Sequence, residues 1–160
     1  SEMCIRDRYM LWMQIARDYV MAYAADQMWQ AGYEDEGKKR DEFIELLPTM
    51  LQVYSPAQIT SLIWNAMAAA EKQASEGPSY KHTGAYAYGV ILNRARKALD
   101  QKWNLKPNIP SMEIEESFFE KHFFKVHVPL GKTWIYRSIP SRNEDSWRVN
   151  LEPAVLPTGF

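Results

Sequence analysis

The sequence predicts a mainly helical α+β fold: a bundle of about four helices followed by a small C-terminal β-hairpin or three-stranded antiparallel sheet. The chain changes character near Trp103. Before it, glycine and proline are sparse and apolar residues recur at helical spacing. After it come six of the nine prolines and most of the β-favouring runs. We therefore expect a helical bundle over residues 9–103, a linker and short helix over 104–117, a β-hairpin appendage over 118–152 and an irregular tail over 153–160.

Two long amphipathic segments begin the predicted bundle. Apolar side chains at helical spacing predict a first helix from about Tyr9 to Gln30, and Gly32 is expected to end it. A second helix is expected from Lys38 to Val53. Pro48 lies inside this second segment and removes one backbone donor, so we expect it to kink or split the helix.

The third helix has the clearest local signal in the chain. Ser55 is the predicted N-cap, Pro56 occupies the first helical position, and Gln58 completes a Ser-x-x-Gln capping box. Tyr54 and Ile59 occupy the two positions of a hydrophobic staple. The sequence therefore predicts that this helix begins immediately after Ser55.

A fourth helix is predicted to begin at Tyr80 or Thr83 and to run to Trp103. Gly84 and Gly89 each cost roughly 1 kcal/mol relative to alanine inside a helix. We expect them to allow the close approach of a neighbouring element. The side chains predicted to be buried together across the four helices are Trp12, Tyr19, Leu47, Ile59, Leu62, Ile63, Leu92, Leu99 and Trp103.

The C-terminal third of the chain has strand-like patterns. A short helix from Ser111 to about Glu120 is expected to follow the proline-containing linker. Apolar residues alternate with polar residues from Phe124 to Val128, which predicts a strand. Gly131 and Lys132 form the predicted turn, residues 133–139 the returning strand, and residues 146–151 a third strand.

The first eight residues resemble a translated sequencing adapter. One reading frame of the transposase-type adapter used in shotgun DNA libraries, TCG GAG ATG TGT ATA AGA GAC AG, encodes Ser1 to Asp7, and one further base allows Arg8. The resemblance implies an environmental DNA source, a missing authentic N-terminus and a non-native Cys4. Segments of this kind do not contribute to fold reasoning. We expect residues 1–8 to make no specific core contacts.

Composition excludes several classes of function. The net charge of −1 gives no bulk attraction to nucleic acid or to anionic membranes. Without Cys4 the chain has no cysteine, which excludes disulfides and thiolate chemistry and fits a cytoplasmic location. No segment approaches the roughly 18 apolar residues of a membrane span, so no membrane partner is expected. Nucleophile, phosphate-loop and dinucleotide motifs are absent, which favours a non-catalytic protein without a cofactor.

The segment from Ser79 to Trp103 has an unusual local charge. It contains five lysine or arginine residues and one acidic residue, together with several tyrosines. Backbone amides at a helix start and cationic side chains hold phosphate, and tyrosines stack on bases. The candidate nucleic-acid-binding residues are Lys81, Tyr86, Arg94, Arg96 and Lys97. The alternative is that the tyrosines pack in the core and the cations pair with acidic residues 113–120.

A cluster of acidic residues and histidine gives a candidate metal site. Glu113, Glu116 and Glu120 share one face if their segment is helical, and His122 follows. Paired carboxylates can bind a hard cation or act in acid–base chemistry, and Glu116, Glu120 and His122 are the candidate ligands. The alternative is a solvated acidic face. His127 lies five residues after His122, which would place the two on opposite faces of a strand.

Three functions follow from these patterns. The first is a non-catalytic helical interaction or accessory protein of microbial, phage or mobile-element origin, with a protein partner or self-association. The second is nucleic-acid binding by the basic helix over residues 80–103. The third is metal-assisted hydrolysis by the Glu113–His122 cluster. The second is favoured over the first if Lys81, Arg94, Arg96, Lys97 and Arg137 converge on one uncovered face.

Overall fold

The computed structural model describes residues 3–108 and 117–142. Four long helices make up most of the described chain: α1 (Ile5–Ala31), α2 (Lys38–Val53), α3 (Pro56–Ser75) and α4 (Gly84–Gln101). Helix α4 packs against both α2 and α3, and α1 also packs against these two helices. Four long helices thus lie within residues 5–101, close to the predicted helical positions, whereas the predicted α+β fold class is wrong beyond them.

Local capping explains where the long helices begin and end. Gly32 ends α1 in the left-handed region at φ 76°, and the N–H of Tyr33 donates to the carbonyl of Met28 at 2.8 Å. The N–H of Gln58 donates to Ser55 Oγ at 3.2 Å, and the Gln58 side chain accepts from the Ser55 N–H at 2.9 Å. The predicted capping box is confirmed. Helix α2 continues through Pro48, so the predicted split does not occur.

One hydrophobic core joins the four helices. Seven of the nine side chains predicted to form it are buried, with Trp12, Leu47, Ile59 and Ile63 fully enclosed. Leu99 and Trp103 are only partly buried and pack at its edge. Met3 and Ile5 also pack against this core, and α1 begins at Ile5. The expectation that residues 1–8 make no core contacts is therefore wrong.

The predicted C-terminal β-structure is also wrong. Between residues 117 and 142 the structure contains no strand: a short helix α5 (Phe118–His122) leads into a π-helical turn (Phe123–His127), and a 3-10 turn covers Gly131–Tyr136. Two adjacent phenylalanines, Phe123 and Phe124, are both buried. A strand would have directed them to opposite faces. The proposed third strand, residues 146–151, lies outside the described residues.

Aromatic packing fixes this C-terminal segment on the bundle. The Phe124 ring stacks on Trp134 at 4.7 Å between centroids and meets Trp12 of α1 edge-on at 6.1 Å. Trp134 in turn meets Tyr19 of α1 edge-on at 5.3 Å. The N–H of Ile139 donates to the carbonyl of Leu51 at 2.7 Å. Residues 118–142 therefore complete the core of the helical bundle.

Candidate nucleic-acid interface

The N-terminus of α4 is fixed by a cap and by a close backbone contact. Thr83 is the N-cap, and its Oγ1 accepts a hydrogen bond from the Tyr86 N–H at 3.1 Å. A Cβ atom at Gly84 would lie 1.8 Å from the carbonyl oxygen of Glu34. Only glycine therefore lets α4 begin directly against the loop that follows α1.

A partly buried polar contact joins α4 to the loop that follows α1. The Tyr88 hydroxyl donates to the Asp35 carboxylate, and the other oxygen of Asp35 lies 3.2 Å from Arg40 Nε. Burial, and secondarily the hydrogen bond to Asp35, raise the pKa of the Tyr88 hydroxyl well above its usual range. Because Tyr88 faces inward, the opposite side of α4 faces solvent.

The outer side of α4 forms the floor of an open groove of about 950 Å³. Lys39 of α2 and Gln73 of α3 also line it, so residues from both neighbouring helices contribute. We call this surface the α4 groove. Its charged and amide-bearing lining residues are Lys39, Gln73, Asn93, Arg94, Arg96, Lys97 and Gln101. Among the described residues that line it, none is acidic.

The four cations of the α4 groove are not equally neutralised. Glu42 lies beside the groove, 3.3 Å from Lys39 Nζ and 3.9 Å from a terminal nitrogen of Arg96. Arg94 and Lys97 form no ion pair within residues 3–108 and 117–142. Lys97 is exposed and Arg94 is half-buried. These two cations are therefore the ones most available to an anion.

Aromatic side chains lie at both ends of the α4 groove. Tyr86 lines one end, where its hydroxyl donates to Gln73, and the ammonium of Lys81 lies 5.6 Å from the Tyr86 ring centroid. Tyr80 is 63% exposed and meets the Tyr86 ring edge-on at 6.2 Å. Trp103 lines the other end and is half-buried. Arg94, Arg96 and Lys97 thus lie along α4 between aromatic rings at the two ends of the groove.

The structure brings together the residues that the sequence singled out as a nucleic-acid site. Tyr86, Arg94, Arg96 and Lys97 all line the groove, and Lys81 contacts it through the Tyr86 ring. Arg137 was also required to converge on this face, but it is not among the lining residues, so the required convergence is met only in part.

Sequence reasoning missed several residues of the α4 groove. Asn93 and Gln101 lie four residues before and after Lys97, on the face predicted to be opposite the buried stripe of α4, but they were not predicted to bind. Lys39 and Gln73 come from other helices, and only the packing of the bundle reveals them.

The acidic cluster gives a different result. Glu113 and Glu116 lie outside the described residues. Glu120 takes part in the capping box of α5, where its carboxylate accepts from the Ser117 N–H at 3.3 Å. His122 is exposed. Across the described ranges, no group of three or more histidine, cysteine, aspartate or glutamate side chains is placed to hold a metal ion.

Comparisons with known proteins identify no relative. No family model, curated protein or solved structure matches the chain. Of the helices that the structure describes, none is long and apolar enough to cross a membrane.

Proposed function

We propose that this protein binds single-stranded nucleic acid along the α4 groove. The observation that supports the proposal is the concentration of four cations on a surface with no acidic lining residue among those described, in a chain whose net charge is −1. Local positive charge on a near-neutral protein favours a defined anionic ligand over bulk attraction.

The shape of the surface favours a single strand over a duplex. A recognition helix must project from its domain to enter the major groove of DNA. Helix α4 instead lies between Lys39 of α2 and Gln73 of α3, at the floor of a groove. A single strand can lie in such a groove with its phosphates on the cations and its bases on aromatic rings.

The aromatic residues set the length of strand that fits. At about 1.5 Å of rise per residue, Tyr86 and Trp103 lie roughly 25 Å apart along the axis of α4. The amide of Asn93 lies between them and can donate to and accept from base edges. Gln73 and Gln101 can donate through Nε2, while their side-chain oxygens accept from the Tyr86 hydroxyl and the Trp103 indole N–H. A short segment of a few nucleotides therefore spans the groove, with a base stacked at each end.

The decisive experiment measures the salt dependence of binding to a fluorescent oligothymidylate of about 12 nucleotides, a length within the usual range of single-strand sites. Four neutralised phosphates, which at Lys39 and Arg96 requires phosphate to displace Glu42, predict a slope of log K against log salt of at most about −3, at about −0.7 per phosphate. Replacing Arg94 and Lys97 by glutamine removes two contacts. The slope should fall to about −1.4, and affinity at ~0.1 M salt should fall about 25-fold.

A matched control removes the same charge elsewhere. Lys121 and Lys132 are exposed and do not line the α4 groove. The K121Q/K132Q variant should bind like the wild type. Equal losses in both double variants would show that net charge, and not the groove, holds the strand. Absence of salt-sensitive binding to single strands by the wild type would refute the proposal.

A second candidate function is protein interaction. Trp29 at the end of α1 is 80% exposed, and Phe118 at the start of α5 is 86% exposed. Large exposed aromatic side chains are enriched at protein interfaces. Sedimentation velocity of the wild type and of a Trp29→Ser variant distinguishes self-association from a monomer. Either function suits a cytoplasmic accessory protein of a microbe, a phage or a mobile element.

A further inference from the structure

We propose that His122 and His127 together bind a divalent transition-metal ion of the zinc, nickel or copper class. The two residues are five apart in sequence, and a strand would have separated them. The π-helical turn brings them together because its hydrogen bonds join residues five apart. The N–H of Val128 donates to the carbonyl of Phe123 at 3.0 Å, and the imidazole centroids of His122 and His127 lie 5.5 Å apart.

This separation matches what a shared metal ion requires. Imidazole nitrogens ligate zinc at about 2.0–2.1 Å, which places the centroids of two imidazoles around a tetrahedral ion about 5 Å apart. The observed centroid separation of 5.5 Å, with the rings at 73° to each other, is close to this value. Imidazole ligands favour zinc, nickel and copper over magnesium and calcium.

Packing holds the histidine pair in position before any ion binds. The His127 ring is half-buried and lies 6.2 Å from the ring of Phe123. Phe123 is fully buried, stacks with Phe119 and meets Phe124 edge-on at 4.9 Å. Because the turn is fixed on the core through these rings, less ordering is needed on binding, which favours affinity.

The site is open on the solvent side. His122 is exposed, and the nearest carboxylate in the sequence, that of Glu120, is engaged in the cap of α5. Two imidazoles would therefore supply the protein ligands, and water would complete the coordination. The exposed Lys121 precedes His122 and the exposed Lys125 lies between the two histidines in sequence, so their charge weakens cation binding in a salt-dependent way.

The test uses the full chain without a histidine tag and with Cys4 replaced by serine, because the exposed Cys4 thiol is itself a metal ligand. Equilibrium dialysis against zinc chloride or nickel chloride should give one ion per chain, with no binding of magnesium. Metal that binds the folded state should also raise the melting temperature with concentration. His122→Ala and His127→Ala should each lower the affinity for metal by more than about tenfold. Removing a residue that only supports a metal ligand already costs about tenfold or more, and removing the ligand itself should cost more.

His82 provides the matched control, since it is exposed and lies at the N-terminal end of α4. His82→Ala should bind zinc like the parent. Equal binding by the parent, His122→Ala and His127→Ala would overturn the proposal, as would loss of binding in His82→Ala alone. Both substituted histidines lie at the surface or at its edge, and circular dichroism confirms that each variant is folded. The metal measurements are independent of oligonucleotide binding, so the two proposals succeed or fail separately.

Discussion

Replacing Gly84 by alanine should be among the most damaging single changes at the start of α4. The added Cβ would lie 1.8 Å from the carbonyl oxygen of Glu34 and 2.9 Å from its carbonyl carbon. Ordinary contact requires at least 3.4 Å, so the two backbones must separate by about 1.5 Å. Overpacking usually costs about 1–3 kcal/mol, and here the obstacle is backbone that cannot rotate away. We expect the free energy of unfolding to fall by about 3 kcal/mol.

This loss should appear directly in thermal unfolding. For a domain of this size, 1 kcal/mol shifts the melting temperature by about 2–4 °C, so Gly84→Ala should lower it by about 6–12 °C. Differential scanning calorimetry measures the shift. Gly89→Ala provides a control on the same helix, because the nearest atom to its Cβ is Lys39 Cγ at 4.0 Å.

The control substitution should change the melting temperature in the opposite direction. Alanine is favoured over glycine inside a helix by about 1 kcal/mol, so Gly89→Ala should raise the melting temperature by about 2–4 °C. If both variants behave alike, the close contact between α4 and the Glu34 backbone does not exist in solution. Helix α4 would then not lie where the structure places it, and it would not form the floor of the groove.

Two further predictions concern the framework. Ser55→Ala should reduce the free energy of unfolding by about 1–2 kcal/mol in urea titrations, because Ser55 is buried and both halves of its capping box are formed; an unchanged midpoint would contradict the cap. Burial raises the pKa of Tyr19 and Tyr88 in the folded state, so the unfolded chain ionises first and stability is complete below about pH 10. Above about pH 10, the free energy of unfolding should fall by up to about 1.4 kcal/mol per pH unit for each of these two tyrosines. Tyr88→Phe should remove the contribution of Tyr88 to this pH dependence.

The helical part of the fold could be predicted because its signals are local. Ser55 and Gln58 are three residues apart, and Gly32 ends α1 through the bonds of its own last turn. Helical periodicity over long segments is also a strong signal. Pro48 does not split α2 because this helix packs against α1 and α4, and tertiary packing can retain a helix through a proline.

The C-terminal segment could not be predicted from local pattern. Phe124, Val126 and Val128 alternate as in a strand, yet Val126 is 56% exposed while Phe124 and Val128 are buried. The conformation of this segment is determined by the packing of Phe124 between Trp12 and Trp134, which come from distant parts of the chain. Alternation over five residues is compatible with either structure, and the long-range contacts decide between them.

The binding proposal and the fold depend on different faces of the same helix. The inner face of α4 is lined by alanines that are fully buried, Ala87, Ala95 and Ala98. Small side chains at a helix contact allow neighbouring helix axes to approach closely. Helix α4 can therefore sit deep against α2 and α3, which leaves Lys39 and Gln73 beside its outer face. The depth of the groove thus follows from the small residues on the inner face of α4. The charged residues on its outer face can be substituted without disrupting the packing of the core.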